Sequence, residues 1–291
     1  MNIRGQYVCS GVIVHSNPSI VIDTYAGSID TPSLLQNLQP DIVIASHFHV
    51  DHSAFMPIAA AYTNAEIFVP SGEEIYLTNI ENYLNQLAPD DKNMQLLWQK
   101  KLIGYGYKEL DNYRSYDDKT DFGFRDRNFM KVIRSPGHSP AHNSFYFPRD
   151  KILFPGDIGL DKVGPWYGFS NCSLVEHISS ILRLMELDID LVITCHNGII
   201  LKEDSKPSLK RCLKVIYDRE TLISRKLDKG YDRSRIVEEG ILFGGKTDLA
   251  EPMRSRNYCA DDIVFLFHYE LIQKGGMIEY FPAVRETFLG A

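Results

Sequence analysis

Asp41-Ile42-Val43-Ile44-Ala45-Ser46-His47-Phe48-His49-Val50-Asp51-His52 is the stretch on which the fold turns. Its first five residues are a short apolar run with the β-branched content of a buried strand. Its last six hold four metal-binding side chains. One tetrahedral zinc rarely takes all four ligands from a single turn, whereas two adjacent metals would use them. In extended chain, i and i+2 point to the same side, so His47 and His49 can grip one ion. A turn after them swings Asp51 and His52 toward a second. Structural zinc sites are closed, usually by cysteines, and this stretch contains none.

The remaining ligands are found by looking for the same local signature elsewhere. Residues 129–134 read as a strand, followed by Ser135-Pro136-Gly137-His138. Residues 151–154 read as another, followed by Pro155-Gly156-Asp157, and residues 191–194 as a third, followed by Cys195-His196-Asn197-Gly198. Each apolar run stops at a turn that carries a ligand-type residue. Loops at strand ends, held by a rigid sheet, are where catalytic groups concentrate. A carboxylate shared between two cations holds them ~3.5–4 Å apart.

These motifs, with Asp23 in Val21-Ile22-Asp23-Thr24, follow one another as in a known family. The chain resembles the metallo-β-lactamase-fold hydrolases of the glyoxalase II type over residues 6–200. The resemblance implies an α/β fold, the αββα sandwich, with a dinuclear centre at one sheet edge. One metal would take His47, His49 and His138, and the other Asp51, His52 and His196, with Asp157 bridging. Asp23 would orient a ligand without binding metal. Asp51 and Asp157 would be the catalytic carboxylates. The cofactors implied are two divalent ions, zinc first, with iron or manganese as alternatives.

Departures from the family narrow the function. True metallo-β-lactamases usually lack a histidine at the position of His52 and carry a zinc-binding cysteine near that of Asp157, so antibiotic hydrolysis is not expected. Homoserine-lactone lactonases usually show a tyrosine three residues after the bridging aspartate, where this chain has Leu160. The expected reaction is hydrolysis of a thioester, ester or lactone by a metal-bridging hydroxide. Two rival readings are an iron persulfide-dioxygenase-like oxidoreductase and a non-catalytic sensory or binding module.

Outside the motifs, the chain of 291 residues is long enough for one large or two modest domains. We read residues 1–203 as the hydrolase domain, with a helical insertion at 72–120, and 204–291 as a helical, winged-helix-like region. Within the first part, residues 6–15 and 19–23 form a hairpin. Residues 30–38 and 52–63 form helices and 65–69 a strand. The insertion is rich in aromatics, among them Tyr76, Tyr83, Trp98 and Tyr107. They either line a pocket, pack as a lid or make the insertion's own core. After Asp157, residues 162–168 form a stiff turn in which Trp166 and Tyr167 are candidates for walling a substrate pocket. Residues 174–187 form an amphipathic helix carrying His177, a packing or surface residue. In the tail, residues 207–229, 232–241 and 260–275 read as helices and 277–281 as a short strand. His268 is either a buried structural histidine or a third pocket residue. His142 lies beside the ligand turn but is not a ligand in the family pattern.

The formal charge is −7 with no Lys/Arg-rich block, which argues against a nucleic-acid partner. Five scattered cysteines fit a reducing cytoplasm. Cys195 reads as a small buried thiol. Residues 1–5 lack an apolar signal core, and no run reaches the ~18 apolar residues of a membrane span. The expected partners are a small-molecule substrate and, through the insertion or the tail, a second copy of the chain as a homodimer.

Overall fold

Ile42–Ile44 is strand β4, and all three residues are fully buried. A strand buried on both faces must be apolar throughout, which is why this run shows no polar alternation. The computed structural model describes residues 2–4, 10–24, 30–126, 129–160, 164–196, 198–242 and 253–289. Around β4 lies a six-stranded sheet in sequence order: β1 (Asn2–Arg4), β2 (Ser10–Val14), β3 (Ile20–Ile22), β4, β5 (Glu66–Pro70) and β6 (Arg114–Tyr116). Strands β3 to β6 are parallel, with Ile22 opposite Ile44 and Ile44 opposite Phe68. A second sheet has the order β11-β10-β9-β8-β7. Its strands are β7 (Lys131–Arg134), β8 (Asn143–Phe147), β9 (Ile152–Phe154), β10 (Leu191–Thr194) and β11 (Gly198–Leu201).

The two-residue period of the strands sorts their side chains into three apolar layers. Ile42 and Ile44 meet Phe145, Phe147 and Phe154 between the sheets. Val43 faces the other way, with Leu35 of α1 (Asp30–Leu38) and Ala59 of α3 (Met56–Tyr62). Leu153 and Val192 pack against α7 (Leu174–Met185) and α8 (Lys202–Asp228). The result is the αββα sandwich.

Several elements differ from the sequence reading. The helix expected over 52–63 is two pieces, α2 (Val50–Ser53) and α3. Pro57 has no amide proton to donate and so opens a new helix instead of continuing the old one. The insertion holds α4 (Glu74–Thr78), α5 (Ile80–Leu87) and α6 (Lys92–Gly104), but its end is not extra to the fold. Arg114–Tyr116 is strand β6, paired with β5. After β11 every described element is a helix: α8, α9 (Arg233–Glu238), α10 (Met253–Gln273), α11 (Gly276–Tyr280) and α12 (Pro282–Leu289). No wing strand follows among the described residues, and the strand expected over 277–281 is helix α11. Its first turn is fixed by the Glu220 carboxylate, which accepts the Met277 N–H at 2.9 Å. Among the described residues no helix is long and apolar enough to cross a membrane.

Candidate metal centre

The ligand-type residues all leave the sandwich where strands stop. His47, His49, Asp51 and His52 follow β4, and His138 lies in the turn between β7 and β8. Asp157 follows β9 and His196 follows β10, two parallel neighbours whose ends point the same way. The fold brings all seven together in two groups. His47, His49 and His138 form one, and Asp51, His52, Asp157 and His196 the other, with the ligand atoms of each group within 4.8 Å of one another. Asp157 joins them. Its carboxylate lies 2.9 Å from His196 Nε2, 3.3 Å from His52 Nε2 and 3.6 Å from His138 Nε2.

Hydrogen bonds at the back of three of the rings decide which nitrogen faces the centre. Asp23 is fully buried and accepts the Ser46 N–H at 2.7 Å and the Ser46 hydroxyl at 2.8 Å. The same hydroxyl oxygen is 3.0 Å from His47 Nδ1, so it accepts that ring proton. Asp23 also takes the His52 Nδ1 proton at 2.8 Å. The Trp166 carbonyl accepts from His138 Nδ1 at 2.9 Å. His47, His52 and His138 therefore turn Nε2 toward the centre. His49 Nδ1 lies 3.0 Å from His47 Nε2 and 2.9 Å from His138 Nε2. Three ring nitrogens converge with at most one proton among them, a donor set that a cation satisfies and protons do not. The residues fit divalent metal.

Electrostatics divides the two groups. Burial holds His47, His49 and His138 below the usual imidazole range, and mutual repulsion adds to it for His47 and His49. They are neutral and ready as ligands. In the other group, burial opposes charge on His196, but the Asp157 carboxylate overrides it and raises that ring to about 10. His52 is raised in the same way by Asp157, Asp23 and Asp51. Burial works against the Asp157 anion too, yet His196 and His52 hold its pKa well below the ordinary carboxylate range. A metal held by this group would take the place of protons on His52 and His196.

Two supports are not among the expected ligands. His142 bonds through Nδ1 to the Ser135 carbonyl, and its Nε2 accepts the Asp157 N–H, both at 2.9 Å. It holds the bridging residue from behind. A Cβ on Gly156 would lie 2.4 Å from that Nε2, and the backbone there has φ +61°, so only glycine lets the two loops meet. Glu73 is also fully buried. It accepts the Phe48 N–H at 2.8 Å, between two ligands, and the Ser139 hydroxyl and Ala141 N–H at 2.5 and 2.8 Å, beside a third. Burial pushes its carboxyl up to about 7, and these three donors act against that. Glu73 thus ties the first ligand loop to the second.

The pocket candidates separate. Trp166 lines the cleft over the centre together with His138, Asp157, Leu160, Thr194 and His196. Tyr167 and His268 do not line it. Both are fully buried, and they hydrogen-bond to one another at 3.0 Å. Trp166 and Tyr167 are adjacent and face opposite ways, so the second packs under α10. Lys162 and Val163 of the same turn lie outside the described residues. Cys195 is a buried thiol that comes within ligand range of Asp23 and His52. His177 is buried, with Nε2 3.1 Å from the Ile158 carbonyl oxygen. Of the insertion's aromatics, Tyr76 and Tyr83 pack on Phe48 at 4.4 and 4.9 Å between ring centres, and Tyr83 Oη accepts the Val50 N–H. They brace the metal loop.

Removing Asp23 should loosen this framework. We expect Asp23→Ala to weaken metal binding by about 10–100-fold while the fold persists. Titration of the metal-free variant with zinc, followed by a competing chelator dye, measures the change. Unaltered affinity would mean that Asp23 does not orient His52.

The family model for the metallo-beta-lactamase superfamily matches residues 4–196, and the chain belongs to that superfamily. It is 25% identical over 210 residues to a metallo-beta-lactamase fold-containing protein of Sulfurisphaera tokodaii, across 67% of this chain and 74% of that one. It is 23% identical over 182 residues to a hydroxyacylglutathione hydrolase of Francisella philomiragia, across 62% of this chain and 58% of that enzyme's length. Among solved structures, a metallo-beta-lactamase family protein of Thermus thermophilus superposes with TM-score 0.65 at 16% identity, covering 94% of this chain and 92% of that one. A protein solved in a di-iron-bound form gives TM-score 0.53 at 18% identity, over 70% of this chain and 95% of its own.

Proposed function

We propose that the protein is a dinuclear metal-dependent hydrolase that cleaves a thioester, ester or lactone. One observation carries this reading: two donor groups of different charge share the single carboxylate of Asp157. Divalent ions held there would supply a water acidic enough to ionise near neutral pH and a Lewis acid for the carbonyl oxygen. The chain's own residues do the rest. Asp23, Ser46 and the Trp166 carbonyl fix the ring faces, and His142 fixes Asp157. The Asp51 and Asp157 side chains are 20% and 15% exposed, and Asp157 lines the cleft. In this reading both are catalytic carboxylates, Asp51 as the one that would pass a proton toward the leaving group and Asp157 as the anion shared by the two donor groups. Leu160 offers the cleft an apolar side chain where a hydroxyl could otherwise hold a lactone oxygen. The low-identity likeness to hydroxyacylglutathione hydrolase supports a thioester first.

Metal analysis joined to a substrate panel tests the reading. We expect about two zinc, iron or manganese ions per chain, and hydrolysis of at least one thioester, ester or lactone that a chelator abolishes. One iron per chain with oxygen uptake would overturn it in favour of a dioxygenase.

A further inference from the structure

Beside the metal cleft lies a larger cavity of about 230 Å³. Leu87, Met94, Trp98, Trp166, Phe169 and Ile263 of α10 are among the residues that line it. It adjoins the metal cleft. Trp166 lines both spaces, and its carbonyl holds His138. The Phe169 ring lies 5.5 Å from the His49 ring and 5.9 Å from that of Trp98. Among the described lining residues the charged ones are both acids, Asp91 and Asp262, and Asp262 already pairs with Arg233 at 2.5 Å. Lys101 stands near, over the Trp98 ring at 4.7 Å.

We propose that this cavity receives the apolar, uncharged acyl arm of the substrate while the carbonyl rests at the metals. The proposal rests on the hydrolase reading above and narrows it to esters and thioesters of medium-chain or aromatic acids. Size and chemistry both point there. The volume holds about eight groups of the size of a water molecule. Aromatic and aliphatic walls with few polar groups favour an apolar ligand. The described lining holds Asp91 and no cation, so an acyl group that carries its own carboxylate would be a poor occupant. The insertion and the tail acquire one shared task, since α6 and α10 each give a wall. The sequence reading treats them as separate additions.

The test uses zinc-loaded protein and acyl p-nitrophenyl esters from acetate to decanoate. We expect kcat/KM to rise about fourfold per methylene over the first several carbons. The half-ester of decanedioic acid, which carries a terminal carboxylate, should lose that gain. Ile263→Phe should lower the decanoate-to-acetate ratio of kcat/KM at least about tenfold by filling the space. A second measurement does not depend on hydrolysis. The chain has two tryptophans, Trp98 and Trp166, and both line the cavity. 2-Decanone, which cannot be hydrolysed, should change their emission saturably, also in metal-free protein. It should also slow maleimide labelling of Cys259, the one exposed thiol among the described cysteines and a lining residue. Mass spectrometry of the labelled peptide locates the reaction. A flat chain-length series with no saturable emission change overturns the proposal. A saturable change in protein that hydrolyses no ester, thioester or lactone supports the cavity's ligand class and overturns the hydrolase reading instead.

Discussion

Asp157→Ala should reduce kcat/KM by more than about 10³-fold, beyond the 10–100-fold that follows loss of an outer partner such as Asp23. The reason is charge as well as geometry. Its carboxylate stands between both groups and reaches His196, His52 and His138. Without it, Asp51 is the one carboxylate left in the two groups. Two dications about 4 Å apart repel by several kcal/mol even at the dielectric constant of water. We therefore expect metal content to fall to one ion per chain or fewer. The backbone should survive, because His142 bonds the residue's N–H, which alanine retains. Far-UV circular dichroism checks the fold, elemental analysis the metal, and Asp157→Asn separates lost charge from lost volume. Full activity in Asp157→Ala would sink the dinuclear mechanism.

The metal centre is legible in the sequence because each ligand sits just past an apolar run, and such runs are easy to see. Ile42–Ile44 and Leu191–Thr194 end where the sequence suggests. Strand β8 escapes that reading: Asn143-Ser144-Phe145-Tyr146-Phe147 is buried on both faces, with Phe145 and Tyr146 in different layers, so it lacks alternation. Strand β6 is three residues at a sheet edge, too short to show a pattern. Glu73 is more instructive. It follows strand β5 and the turn glycine Gly72, the same signature that marks His138 and Asp157. What it binds is largely backbone N–H from distant loops, and no side-chain spacing announces that. Tyr167 misleads because an aromatic in a stiff loop reads as a pocket wall. Only the fold shows that its neighbour takes the cleft while it enters the core beside Arg219, whose guanidinium lies 5.3 Å from its ring centre.

Gly137→Ala should be a severely damaging single-methyl change near the centre. The sequence marks Pro136-Gly137-His138 as a turn, and the structure shows why the middle residue has no side chain. Its φ is +129°, and a Cβ there would lie 2.3 Å from the backbone N and Cα of His177. Neither partner can retreat. The His177 N–H bonds the Ser173 carbonyl in the first turn of α7, and the Ser173 N–H bonds the Gly137 carbonyl, both at 2.9 Å. Ser180 fastens the Pro136 carbonyl to the same helix at 2.8 Å. The methyl must therefore lift the turn off α7 and carry His138 away from His49. We expect a loss of more than about 4 kcal/mol in stability, at the upper end of single substitutions. Gly123→Ala is the control: φ is +76° there too, yet nothing lies within 4 Å of the new Cβ. It should cost only about 1 kcal/mol, from backbone conformation alone. Urea midpoints of the two variants measure the difference, and zinc titration of whatever Gly137→Ala protein folds reports on His138. Equal midpoints would mean that the turn and α7 are free to move apart, and that His138 is not held by the contact the structure shows.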